Sequence, residues 1–214
     1  MFDLDGTLID SAPDLAVAIN SMLADHGRAP LAVGEVRQMV GDGVAMLVAR
    51  ALAARECAPA DPVEAERSFM RHYESAATAL TTVFPGVAQA LQALRAAGIP
   101  LAVCTNKPAR ITADILDRLG LARHFARVIG GDSLPFRKPD PRVLLSLLEA
   151  FAAGPESSLL VGDSEVDAAT AAAAAVPFVL MKHGYRRGPA TAIRCRAALE
   201  SFVELPALLG VPAH

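Results

Sequence analysis

From residue 11 onward, apolar positions recur every three or four residues. Leu15, Ile19, Met22 and Leu23 share one face, Pro13 suits a first turn, and Gly27 closes the segment. Ser11 with Asp14 three residues later has the form of a capping pair, and Asp10 reads as part of the same helix start. Further helical segments are predicted at 34–40, 43–56 and 62–80, the second with Val44, Leu47, Val48, Ala51 and Leu52 on one face. No strand is predicted between 11 and 80. The pattern changes at Val83-Phe84-Pro85-Gly86, after which helices and short apolar runs alternate. The order is helix 86–97 ended by Gly98, strand Ile99 to Cys104, helix 108–119 ended by Gly120 and strand Arg127 to Ile129. Helix 139–151, strand Ser158 to Val161, helix 165–175 and strand Phe178 to Met181 complete it. Fully apolar strands separated by helices of this length predict an α/β fold, a parallel sheet covered on both faces. Two or three N-terminal strand residues cannot stand alone, so they must join that sheet. The chain therefore divides into a core of residues 1–13 and 83–214 and an all-helical cap inserted at 14–82.

Composition narrows the partner. The 214 residues carry a net charge of −3, with no basic footprint for nucleic acid or an anionic membrane, and a small-molecule partner is expected. The longest apolar tract, Ala168 to Met181, is mostly alanine and is interrupted by Thr170 and Pro177, too weak to span a bilayer. Cys57, Cys104 and Cys195 lack metal-ligand or paired spacing and read as reduced thiols, and with an acid at position 3 in place of a basic leader the chain reads as cytoplasmic. Of 20 basic residues only Lys107, Lys138 and Lys182 are lysines, so each marks a place where a compact ammonium is preferred to a guanidinium.

In an open parallel sheet the ligand site lies beyond the carboxyl ends of the strands. Asp3-Leu4-Asp5-Gly6-Thr7 follows the first strand, and Thr105-Asn106-Lys107-Pro108 follows the second. The next strand leads by a loop to Arg137-Lys138-Pro139-Asp140, and Gly162-Asp163-Ser164-Glu165-Val166-Asp167 follows the fourth. Acids so close together repel unless a cation sits among them, and several carboxylate oxygens are the ligands of a hard cation such as Mg2+. One carboxylate as nucleophile, a second acid to protonate the leaving oxygen and activate water, and a hydroxyl and a lysine for the transferring oxygens suit phosphoryl transfer.

The order D-x-D-G-T, T-N, K-P-D-P and G-D-S-x-x-D over residues 3 to 167 resembles the haloacid dehalogenase superfamily, and more closely its phosphoglycolate phosphatase branch. The similarity extends to S-A-P-D-L at 11–15, V-R-Q-M-V-G-D-G-V at 36–44 and T-N-K-P at 105–108. It implies a Rossmann-like core with a small helical cap and a Mg2+-dependent phosphatase acting on a small phosphorylated metabolite, 2-phosphoglycolate first among the candidates. A phosphatase for another small phosphate, a sugar phosphate or pyrophosphate, and a sugar-phosphate mutase are the alternatives. It further implies Asp3 as nucleophile and metal ligand, and Asp5 as general acid/base, with its backbone carbonyl on the metal. Thr105, Asn106 and Lys138 would hold the phosphoryl group, Asp163 would complete the metal site, and Asp167 would support it from behind. An acid at position 5 argues against a dehalogenase or a phosphonate-cleaving relative, which lack it.

Other candidates carry weaker expectations. The motif favours Lys138 over Lys107 for the phosphate. Gly41-Asp42-Gly43 reads as a tight turn or as amides facing an anionic substrate, and Arg37 and Arg50 are candidates for reading a substrate carboxylate. The five histidines show no ligand spacing. Relatives have several more apolar residues before the nucleophile, so with only Met1 and Phe2 there the first strand is expected to be short, or its start to lie upstream. Ala175 stands where relatives often have glycine, a change the backbone accepts at negative φ.

Overall fold

The structure, a computed structural model, describes residues 1–57 and 61–211. Its core sheet is built from β3 (Ala102–Cys104), β4 (Arg127–Ile129), β5 (Leu160–Gly162), β6 (Phe178–Met181) and β7 (Ala197–Leu199), with β3 parallel to β4, β5 to β6 and β6 to β7. The N-terminal segment joins the two halves. Phe2 bridges Val103 on one side and Val161 on the other, both in parallel. The amides of Phe2 and Asp3 donate to Ala102 and Val161 (both 2.9 Å), while Cys104 and Val161 donate back to Phe2 (2.8 Å) and Met1 (2.9 Å). Three residues are thus held by four hydrogen bonds at the centre of the sheet, in the order β4-β3-N-terminal segment-β5-β6-β7. A short strand is sufficient here because both its edges are paired.

The two faces of the sheet are covered by different helices, and the strand pleat decides which residue meets which. Val103, Val161 and Val179 face a layer that includes Leu91 and Leu94 of α5 (Val87–Ala96) and Ile111 and Ile115 of α6 (Ala109–Arg118). Ala102, Cys104, Leu160, Phe178 and Leu180 face Val143, Leu144 and Leu147 of α7 (Arg142–Ala150) and Ala171 of α8 (Glu165–Ala173). Successive side chains point to opposite faces, so apolar residues at consecutive positions fill both layers.

The helical insertion leaves and re-enters through a two-strand neck. β1 (Ile9–Asp10) pairs antiparallel with β2 (Thr82–Val83), in the register Ile9 to Val83 and Asp10 to Thr82. Between them lie α1 (Ala12–Asp25), α2 (Val33–Arg37), α3 (Val44–Ala53) and α4 (Pro62–Ala76). α1 packs on α4 through buried Leu15, Ile19, Met22, Phe69 and Tyr73.

Several expectations need correction. Ser11 does precede α1, but its hydroxyl makes no cap bond, and Asp14 turns away to accept from the amides of Leu80 (3.0 Å) and Thr81 (2.7 Å) and the Thr81 hydroxyl (2.6 Å). That draws the chain out of helix, which is why α4 stops at Ala76 rather than running to residue 80. Asp10 belongs to β1. α7 begins at Arg142, three residues later than predicted, with Asp140 accepting from the Arg142 amide. β7 and α9 (Glu204–Leu208), after the strand expected to be last, were not foreseen. Ala175 takes φ of 55°, the left-handed region, so the methyl group sits in a conformation that glycine holds without cost.

Candidate active site

All four motifs meet at the C-terminal edge of the sheet. Asp3 ends the central segment, Thr105 follows β3, Lys138 lies on the loop after β4, and Asp163 follows β5. Asp3, Thr105, Asn106, Lys138, Asp163 and Asp167 are all buried.

Lys138 Nζ lies 2.8 Å from Asp3 Oδ1 and 2.6 Å from Asp167 Oδ1. Burial alone would depress this ammonium, but Asp167 and Asp3 overcome it and hold the group well above its usual range. One oxygen from each of Asp3, Asp163 and Asp167 lies within 4.8 Å of the others. Burial, reinforced by the Asp167 carboxylate, pushes Asp3 up to about 7, and Asp163 is raised by burial and then by Asp167 and Asp3. Crowded buried acids are raised in this way when nothing neutralises them. Asp3 Oδ1, despite its nearness to Lys138, has no partner in hydrogen-bond geometry. A buried carboxylate oxygen lacking a donor, in an all-oxygen cluster, fits a hard divalent cation.

Close approach makes this cluster possible. Asp163 Oδ1 accepts from the Thr7 hydroxyl (2.5 Å) and Oδ2 from the Tyr185 amide (2.6 Å). Gly6 has φ of 83°, and a Cβ there would lie 2.5 Å from Asp163 Oδ2; a Cβ on Gly184 would run into Asp163 as well. Asp167 caps its own helix, accepting from the Ser164 amide (3.1 Å) and hydroxyl (2.6 Å) through Oδ2, which leaves Oδ1 for Lys138. The helix-start reading of Asp167 and its place behind the site are both satisfied, one oxygen each.

Asp5 is placed differently. Its carboxylate accepts from the Ser11 hydroxyl (2.5 Å) and from Lys107 Nζ (3.0 and 3.1 Å), so the carboxylates that gather are those of Asp3, Asp163 and Asp167. Asn106 Nδ2 donates to the carbonyls of Lys138 and, from the insertion, Gly41 (both 2.9 Å), tying the two parts together over the site. Asp3, Asp5, Thr105 and Asn106 open onto a cavity of about 40 Å3 whose other wall is Leu15, Val44, Leu47, Phe69 and Tyr73.

A model of the haloacid dehalogenase-like hydrolase family matches residues 1–175. The chain belongs to that family. A phosphoglycolate phosphatase of Cereibacter sphaeroides is 46% identical over 211 residues, covering 98% of this chain and 96% of its own. Another, from Rhodospirillum rubrum, is 43% identical over 218 residues, with 99% and 90% covered. The crystal structure of a predicted phosphoglycolate phosphatase from Haemophilus somnus 129pt has a TM-score of 0.93 at 32% identity, over 97% of this chain and 96% of that one. No helix of the described residues is long and apolar enough to cross a membrane.

Within this hydrolase, Arg37 and Arg50 do not serve as the carboxylate readers their sequence positions suggested. Arg37 pairs with Asp10 (2.6 Å), and Arg50 with Asp42 (2.5 Å) and the Met39 carbonyl (2.8 Å). Asp42 also takes Arg187 from the loop beyond β6, so the Gly41-Asp42-Gly43 turn is a docking point between insertion and core. Sequence reading missed Tyr185, whose amide holds Asp163 and whose hydroxyl donates to Asp10 (2.5 Å). No local signal marks a residue 22 positions beyond its partner. It also passed over Lys107, buried against Asp5 with Nζ 4.7 Å from the centre of the Tyr73 ring. Its scarcity as a lysine was the available signal. Cys104 behaves as the buried apolar thiol expected, pushed up to about 12 by burial.

Proposed function

We propose that this hydrolase is a Mg2+-dependent phosphatase for a small phosphomonoester, 2-phosphoglycolate above all, working through an aspartyl-phosphate on Asp3. The observation that carries the reading is Asp3 itself: a carboxylate held at the centre of the strand ends, 2.8 Å from the Lys138 ammonium and within 4.8 Å of two further acids. The relatives named phosphoglycolate phosphatase support the substrate.

Asp3 and Asp163, with the backbone carbonyl of Asp5, would hold Mg2+, which when bound neutralises the crowded acids and the incoming phosphate. Asp3 attacks phosphorus and carries the phosphoryl group, dividing one difficult hydrolysis into two displacements. Thr105, the backbone amide of Asn106, whose side-chain donors are already engaged, and Lys138 hold the equatorial oxygens, where negative charge is spread in the transition state. Asp5 donates a proton to the departing alkoxide and then takes one from the water that attacks the aspartyl-phosphate. Asp167 fixes Lys138, and Thr7 and Tyr185 fix Asp163, so neither group has to be reoriented during reaction. Residues 14–82 serve as a cap, which closes water out once the substrate is seated.

Purified protein with Mg2+ should release inorganic phosphate from 2-phosphoglycolate faster than from hexose phosphates, nucleotides or pyrophosphate. Asp3→Asn should abolish turnover with the fold retained by circular dichroism; more than a few per cent of residual activity would overturn the covalent mechanism.

A further inference from the structure

We propose that Lys107 and Tyr73 form the subsite for the part of the substrate that is not transferred, and that this subsite takes a carboxylate. The inference rests on the phosphatase reading above and deepens it, by assigning the residues that would meet the carboxylate of such a substrate.

One cavity is lined both by Asp3, Thr105 and Asn106, where the phosphoryl group is expected, and by Lys107 and Tyr73. The Lys107 side chain is 4% exposed, and its Nζ contacts Asp5 and lies over the Tyr73 ring. An ammonium carries three N–H donors. Two of them are turned to the Asp5 oxygens (3.0 and 3.1 Å), and the Tyr73 hydroxyl lies beside the third, so lysine and tyrosine could share one ligand oxygen. Tyr73 is 2% exposed, and its hydroxyl has no hydrogen-bond partner. A buried hydroxyl is normally paired, and one left open beside a buried cation marks the place of an absent acceptor.

Charge points to the same occupant. Lys138 faces two carboxylates, Asp3 and Asp167, whereas Lys107 faces Asp5 alone. The remaining walls are apolar, Leu15, Val44, Leu47 and Phe69, so an anion placed there would be unpaired except against Lys107. Arg37 and Arg50, the other candidates from the insertion, are engaged with Asp10 and Asp42.

The test compares 2-phosphoglycolate with 2-hydroxyethyl phosphate, in which a hydroxymethyl group replaces the carboxylate, using the full chain with Mg2+. Wild type should favour the acid about 10–100-fold in kcat/KM, the range expected for a charge-assisted hydrogen bond in a dry site. Lys107→Met should reduce that preference to about threefold or less, through KM for the acid, and Tyr73→Phe should lower it about fivefold. Equal losses on both esters in Lys107→Met would overturn the proposal and make Lys107 a positioning residue for Asp5. Absence of a wild-type preference would overturn it without any variant, and so would a Tyr73→Phe protein indistinguishable from wild type. Hydrolysis of neither ester by wild type would instead refute the phosphatase reading on which the proposal stands.

Discussion

Asp14→Ala is expected to destabilise the protein by about 3 kcal/mol, although Asp14 lies outside the catalytic cluster. The carboxylate is buried at the start of α1 and holds the chain returning from α4: it accepts from the Leu80 amide, the Thr81 amide and the Thr81 hydroxyl. Removing it strands the buried Thr81 amide, which had a charged acceptor, at a cost of about 2 kcal/mol. The Leu80 amide is only partly buried, so water replaces much of its bond and about 1 kcal/mol is lost. The Thr81 hydroxyl already reaches the Ala77 carbonyl (3.2 Å) and adds little. For a chain of 214 residues, about 3 kcal/mol corresponds to a fall of roughly 6–12 °C in Tm. Asp14→Asn keeps one acceptor oxygen and should recover about half of the loss. Calorimetry of the three proteins checks this, and a fall of less than about 3 °C in Asp14→Ala would show that the neck is not held by this carboxylate.

Two further outcomes follow from the buried acids. Asp3 at about 7 and Asp163, also raised, keep protons in the folded state that the unfolded chain releases near 3.8, so cation-free stability should fall as pH rises from about 4 to about 7. Mg2+ needs these groups ionised, so it should raise Tm more at pH 8 than at pH 5, as measured by thermal melts with and without chelator; equal gains would refute a role for these carboxylates as ligands. Lys138→Met leaves Asp3, Asp163 and Asp167 with no buried cation among them, and in chelator it should cost about 3–5 kcal/mol of stability and, with Mg2+, at least about 100-fold in kcat. An unchanged Tm in chelator would exclude the pairing.

Much of this was legible along the chain. Helices in the insertion, alternation in the core and the four strand-end motifs all follow from local patterns, because a motif demands particular residue types at particular spacings. Boundaries shifted where a distant group intervened, as Asp14 did by ending α4, or where a local turn delayed a helix start, as the Asp140 carboxylate on the Arg142 amide does before α7. β7 and α9 were missed because their short segments carry too few apolar positions to establish a period. Lys107 was weighed only as a rival of Lys138 for one phosphate; the fold gives each its own carboxylates, Asp5 for Lys107 and Asp3 with Asp167 for Lys138.

The sequence by itself determined the class of fold, the ligand chemistry expected at the strand ends and the identity of the acids and lysine that meet there. Tertiary structure alone decided how those groups divide their oxygens and donors. Asp167 splits its two oxygens between its own helix cap and Lys138, Tyr185 reaches back to Asp163, and Asp5 turns to Ser11 and Lys107. The physical reason is distance along the chain: a residue's type and its neighbours are local facts, but the partner that neutralises a buried charge is whichever group the packed layers bring within about 3 Å.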